Sequence, residues 1–227
     1  MITSLKNILV TGAEGALGSA VVKRFVASGT SVIGTYREAP GIADERITWV
    51  KMNISDSRSV AEGIASLRAQ FGEIEGLIHC AGGFRYSPLE QTSDQDLDFL
   101  LNVNLRSAFL LLRELLPSMK KKGFGRIVLV SAKASLNPGA GLSAYAASKA
   151  GLNAIVSSVA DEVRSYDINI NAVMPSMIDT LANRKDMPKA DFAAWVKPEE
   201  LAEIIFSLTQ ALGKPLNGAL IPVTGRL

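Results

Sequence analysis

"NILVTGAEGALGSAVVKRFVASG", residues 7–29, makes the strongest structural statement in the chain. A short apolar run, Ile8 to Val10, has the length and branching of a buried strand, and a glycine-rich turn follows at once. From Ala16 onward apolar residues recur at helical spacing. A strand that passes through glycines into a helix aims the first helical amides at the turn, where they can receive negative charge. Gly12 permits the tight turn, and small Ala16 and Gly18 let the backbone and the helix approach a pyrophosphate. Glu14, Gly15 and Leu17 complete the expected nucleotide cradle.

The rest of the chain repeats the same alternation. "SVIGTY", "RITWVKM", "GLIHCAG", "GRIVLVSA", "INAVMP" and "GALIPVTG" read as further strands. Between them "SRSVAEGIASLRAQFG", "SDQDLDFLLNVNLRSAFLLLRELLPSMKKKG", "LSAYAASKAGLNAIVSSVADEVRSY" and "KPEELAEIIFSLTQALG" read as helices. Asp94 belongs to a capping segment at the start of the second of these, and Pro117 and Gly123 mark its far end. Pro198, Glu199 and Glu200 suit the first turn of the last helix. The expected fold class is α/β: one doubly wound domain over residues 1–227, a parallel sheet with helices on both faces.

Composition narrows the function. The 227 residues are 48% hydrophobic and 20% charged, ordinary for a chain with a substantial core. A net charge of +2 argues for neither a nucleic acid nor an anionic membrane surface as partner, so a small-molecule substrate is expected. Apolar stretches fall well short of a membrane span, and the first residues lack the apolar core of a secretory signal. A cytoplasmic location follows as an expectation. The single cysteine, Cys80, excludes an internal disulfide framework and reads as a buried strand-end residue. His79 beside it supplies too few ligands on opposite faces of a strand, so no metal site is expected.

The end of the second strand should lie near the adenosine ribose of a dinucleotide. Tyr36 and Arg37 stand there, and an arginine can pair with a 2′-phosphate, so NADP(H) is favoured and NAD(H) remains the alternative through Glu38. Asn53 and Ile54 precede a helix and are expected to border the adenine. Ala81, Gly82 and Gly83 form a small-residue turn where the cofactor passes close to the backbone. Tyr145 and Lys149, four apart at the start of a helix, share a face and make a proton-donating pair.

Taken together, "TGAEGALG", "CAGG", "NVNL" and "YAASK" resemble the short-chain dehydrogenase/reductase family over essentially the whole chain. The resemblance implies a seven-stranded parallel Rossmann sheet, a nicotinamide cofactor and a homotetramer, with a homodimer as alternative. It implies that Tyr145 is the proton donor. Lys149 would bind the nicotinamide ribose and lower the tyrosine pKa, and Asn104 would support a proton-relay water. "PSMIDT", residues 175–180, is similar to the segment that holds the nicotinamide amide, with Pro175, Ile178 and Thr180 at contacting positions. The usual Pro-Gly of that segment is Pro-Ser here.

The family's common pattern has a serine thirteen residues before the tyrosine, where this chain has Ala132. Ser131 should face away on a strand, while Ser135 is the candidate to swing in. "AKASL", "AGGF" and "NRKDMPKADFAAW" are most similar to the dihydropteridine reductase-like branch, which has alanine at that position. That similarity implies a quinonoid dihydropterin, already electrophilic enough to need little carbonyl polarisation. The alternatives are a carbonyl or 3-oxoacyl reductase, or a non-catalytic NADP-binding sensor. Phe84, Met177 and Trp195, with Tyr86, are expected to wall the substrate, and residues 176–197 to form a lid.

Overall fold

The computed structural model describes residues 5–227. Among the described residues, β1 (Asn7–Thr11), β2 (Ser31–Tyr36), β3 (Ile47–Lys51), β4 (Gly76–His79), β5 (Phe124–Val130), β6 (Asp167–Pro175) and β7 (Leu220–Val223) form one sheet, ordered β3-β2-β1-β4-β5-β6-β7. Every pairing is parallel. The chain reverses its direction across the sheet between β1 and β4, and such a switch point opens a crevice beyond the strand ends.

Consecutive strand residues serve opposite faces. Leu9, Ile33, Leu77 and Ile127 pack into one core, and Ile8, Val10, Val32, Ile78 and Val128 pack into the other. Burial on both faces explains why these strands read as continuous apolar runs. Helices α1 (Ala16–Ala27) and α7 (Pro198–Leu208) cover one face, joined by an edge-on contact of Phe25 with Phe206. Burying a side chain such as Phe25 contributes about 1.5–3 kcal/mol. On the other face lie α2 (Ser57–Phe71), α4 (Ser107–Lys122) and α5 (Ser143–Glu162).

Two local expectations change. The long helix expected from Asp94 is α3 (Asp94–Leu100), a π-helical stretch at Leu101–Arg106, then α4. Within the capping segment that holds Asp94, Ser93 is the N-cap, accepting from the Asp96 amide at 3.1 Å, and Asp94 stands in the first turn. Pro117 lies inside α4 instead of ending it, because burial of Leu115, Leu116 and Met119 holds the last turns on the core. The helix ends where Gly123 turns left-handed at φ 74°.

Candidate active site

At the switch point the ends of β1, β2 and β4 surround a cavity of about 710 Å³. Gly12, with φ 62°, makes the turn out of β1 and comes so close to β4 that an added Cβ would lie 2.8 Å from the Ala81 Cα. At Gly18 an added Cβ would lie 2.0 Å from the Gly12 carbonyl oxygen, so α1 packs directly on the turn. Gly15 caps α1 without a side-chain bond, leaving the amide end of the helix clear of a capping side chain. Gly12, Glu14 and Gly15 line the cavity, whereas Ala16, Leu17 and Gly18 support it from within the helix.

Tyr36, Arg37, Asn53 and Ile54 line the far side, as the spacing predicts. The Arg37 backbone amide donates to Glu14 Oε1 at 3.2 Å, and its guanidinium lies 3.4 Å from Glu38. Both side chains of that ion pair are more than 80% exposed, so it is weak and the guanidinium is free to turn toward a phosphate. Three residues on the π stretch and before it, Phe99, Asn102 and Val103, also border the cavity, as do Thr35, Lys51, Met52 and Ser55. Sequence reasoning missed these; the signal for the first group was their place just before and within "NVNL", but helical periodicity hides a π stretch.

A nicotinamide dinucleotide fits this cradle. The volume lies in the range of small-molecule sites, the glycines are sterically obligatory, and a helix amide end faces the phosphates' place.

The Cys80–Gly82 wall leads to the proton-donating pair. A Cβ on Gly82 would stand 3.0 Å from Asn104 Oδ1 and 3.2 Å from Lys149 Nζ. Asn104, fully buried, accepts from the Gly83 amide at 2.8 Å and donates from Nδ2 to the Gly83 carbonyl and to Ser148 Oγ, both at 3.0 Å. Its side chain therefore clamps the turn to α5. The adjoining Gly151 packs on Leu105, where an added Cβ would sit 3.0 Å from the leucine methyls, so this small-residue position serves the chain's own core.

Lys149 is buried and donates to the Val130 carbonyl at 2.8 Å; burial pushes its pKa down to about 8. Tyr145, half-buried on the same helix face, meets Phe84 edge-on with ring centroids 5.0 Å apart. Burial pushes the phenol up to about 12, and Lys149 is not among the groups that shift it. The expected lowering of the tyrosine by the lysine is thus not a property of the protein alone.

Ala132 is buried at the end of β5 and brings no donor. Ser131 faces α5, donating to the Lys149 carbonyl at 3.3 Å. Ser135 does not swing toward the tyrosine: its hydroxyl donates to the Ala132 carbonyl at 2.6 Å and accepts from Asn153 Nδ2 at 2.8 Å. Neither serine is placed to replace the one expected at Ala132.

Pro175 ends β6, and Ser176 in place of glycine bonds the Thr224 carbonyl at 2.8 Å without a left-handed backbone. Met177 and Asp179 pair with Val196, and Ile178 bridges to it, so the two ends of residues 176–197 are tied together. Thr180 caps α6 (Leu181–Asp186), accepting from the Asn183 amide at 3.1 Å. Trp195 is 5% exposed, lies against Phe192, and does not border the cavity, because the turn after α6 carries it inward. Phe84, beside Tyr145, stays 55% exposed.

The family model "short chain dehydrogenase" matches residues 6–191. The 3-oxoacyl-(acyl-carrier-protein) reductase FabG of Salmonella typhimurium is 32% identical, covering 97% of this chain and 96% of that protein. Acetoacetyl-CoA reductase of Synechocystis is 29% identical, covering 97% and 95%. The solved structure "ElxO with NADP Bound" superposes with a TM-score of 0.91 at 22% identity, covering 98% of each chain.

Proposed function

Because the chain belongs to the short-chain dehydrogenase family, we propose that it is an NAD(P)H-dependent oxidoreductase in which Tyr145 protonates a small electrophilic substrate as hydride arrives. The observation that supports this reading is Gly82, which lines the same cavity as Gly12 and Gly15 and packs against Asn104 and Lys149, with Tyr145 one helical turn before Lys149 on α5. When bound, the nicotinamide supplies the hydride.

The residues divide the remaining work. Gly12, Gly15 and the amide end of α1 hold the diphosphate, and Arg37 recognises a 2′-phosphate, which favours NADP(H) over NAD(H). Tyr145 stays protonated at working pH, as a general acid must before it acts. The Lys149 ammonium, anchored on Val130, stabilises the phenolate left after proton transfer. Asn104 holds Gly83 and α5 together, so the turn and the tyrosine keep one spacing.

Ala132 favours a substrate that needs little polarisation by a hydroxyl, and a quinonoid dihydropterin has that chemistry. The second reading, reduction of a 3-oxoacyl thioester, is favoured by the likeness to the FabG and acetoacetyl-CoA reductases. We further propose a cytoplasmic homotetramer or homodimer, with residues 176–197 acting as the substrate lid.

Initial rates of NADPH and NADH oxidation with quinonoid dihydropterin, simple ketones, quinones and 3-oxoacyl thioesters test the proposal. Fast pterin turnover supports the first reading, and turnover restricted to thioesters replaces it with the second. Tight nucleotide binding without any turnover would overturn both in favour of a sensor.

A further inference from the structure

The chain has one histidine, and the proton-transfer chemistry above does not use it. His79 closes β4 directly under the cavity turn and is fully buried. Its Nδ1 lies 2.8 Å from Thr11 Oγ1, and its Nε2 lies 3.1 Å from Ser107 Oγ. The direction of each bond follows from the proton count. Ser107 has one hydroxyl proton, and it goes to the Val103 carbonyl at 2.7 Å. Ser107 must then accept from His79, so Nε2 carries the ring proton. Nδ1 is left as an acceptor and takes the Thr11 hydroxyl proton. A Thr11 lone pair in turn faces the Ala81 amide at 3.4 Å.

The line therefore starts at Ala81 and ends at Val103, and both residues are walls of the cavity. Val103 sits in the π stretch one residue before Asn104, and Ala81 sits in the turn that Asn104 clamps. Thr11 belongs to the strand that leads into the glycine cradle. Three cavity segments far apart in sequence are thus joined through one imidazole.

We infer that His79 is a positioning residue: as a neutral ring protonated on Nε2, it sets the relative placement of the glycine turn, the 80–83 turn and the Asn104 segment, and so tunes nucleotide affinity. This rests on the nucleotide-binding reading given above. Burial, reinforced by the Lys149 ammonium, pushes the imidazole down to about 3, so it stays neutral wherever the protein is folded and active. A buried polar line of this kind is costly when half-satisfied, because the hydroxyls it orients lose their partners.

The first test is the ¹⁵N spectrum of imidazole-labelled protein, in which one histidine gives one unambiguous pair of ring signals. The expected result is an Nε2-protonated ring unchanged from pH 5 to pH 8. A ring protonated on Nδ1, or one that titrates in that window, overturns the inference. The second test is nucleotide dissociation measured directly by calorimetry with NADPH, beside thermal midpoints. Glutamine offers the same acceptor and donor as this tautomer, and leucine offers neither. His79→Leu is expected to weaken NADPH about tenfold, and His79→Gln to recover most of that. Should His79→Leu not fold, Thr11→Val removes one link of the line and is expected to weaken NADPH in the same direction. Unchanged affinity in a folded His79→Leu or Thr11→Val, or equal losses in the glutamine and leucine variants, overturns the inference. Wild-type protein that binds no nicotinamide nucleotide instead overturns the functional reading, a result the variants do not mimic.

Discussion

Tyr145 and Phe84 meet edge-on, with centroids 5.0 Å apart and planes at 75°, so the phenol is held by an aromatic partner from the turn that walls the cavity. Replacing Tyr145 with phenylalanine keeps that contact and removes the proton. Turnover by Tyr145→Phe is expected to fall by about 10²–10⁴-fold, while nucleotide affinity stays within a factor of about two. Paired rate and calorimetric measurements check this; near-normal turnover would remove Tyr145 from the chemistry.

The buried ammonium of Lys149 gives a pH signature. Its pKa in the fold is about 8 against an ordinary 10.5, so between those values the unfolded chain holds the proton and the folded one has lost it. Stability from this group therefore rises with pH across that window, and below about 8 its full cost is present. Tyr145 acts oppositely: raised from 10 to about 12, it contributes stability that is lost as pH climbs through that range. From about pH 8 upward the thermal midpoint of the wild type should rise relative to that of Lys149→Met, which has no ammonium to lose. Reductive turnover should fall above about pH 8 as the ammonium is lost.

Arg37 and Glu14 face one another at the end of β2, joined through the Arg37 amide. Arg37→Ala is expected to weaken NADPH on the order of tenfold more than NADH, since it removes a charge-assisted contact available only to a 2′-phosphate. Glu14→Gln keeps the acceptor for that amide and deletes a negative charge, so its effect should be the reverse, a relative gain for NADPH. Equal changes for both nucleotides in titrations would dissociate this corner from discrimination.

Ala132 is the position where a hydroxyl would help most. Ser135 is spent on the Ala132 carbonyl and cannot substitute for it. Ala132→Ser is expected to raise ketone and 3-oxoacyl turnover by up to about 10²-fold and to leave a quinonoid substrate nearly unchanged. A kcat comparison across both substrate types decides it; no gain with any ketone would show that carbonyl polarisation is not what limits this site.

All seven strands and the glycine turn were readable along the chain, because each rests on contacts between near neighbours: apolar runs at strand length, a φ that only glycine takes freely, a helix that starts where the turn ends. Much of the cavity was readable for the same reason, since Gly12, Arg37, Asn53 and Ala81 all sit at strand ends. Tyr145 and Lys149 were visible through helical spacing, and their roles through a resemblance rather than through geometry.

Other features needed the folded molecule. The π stretch breaks the helical period, and its reason is Asn104 reaching Gly83 and Ser148, partners 21 and 44 residues away. Pro117 stops a helix in isolation but not one whose next turns are buried. Ser135 looked free until Asn153, 18 residues on, took its lone pair. His79 read as a lone strand residue until Thr11 and Ser107 closed on its two nitrogens from 68 and 28 residues away. Chain pattern encodes the period and the turn, whereas the partner of a buried polar atom is chosen only when distant segments pack and water is excluded.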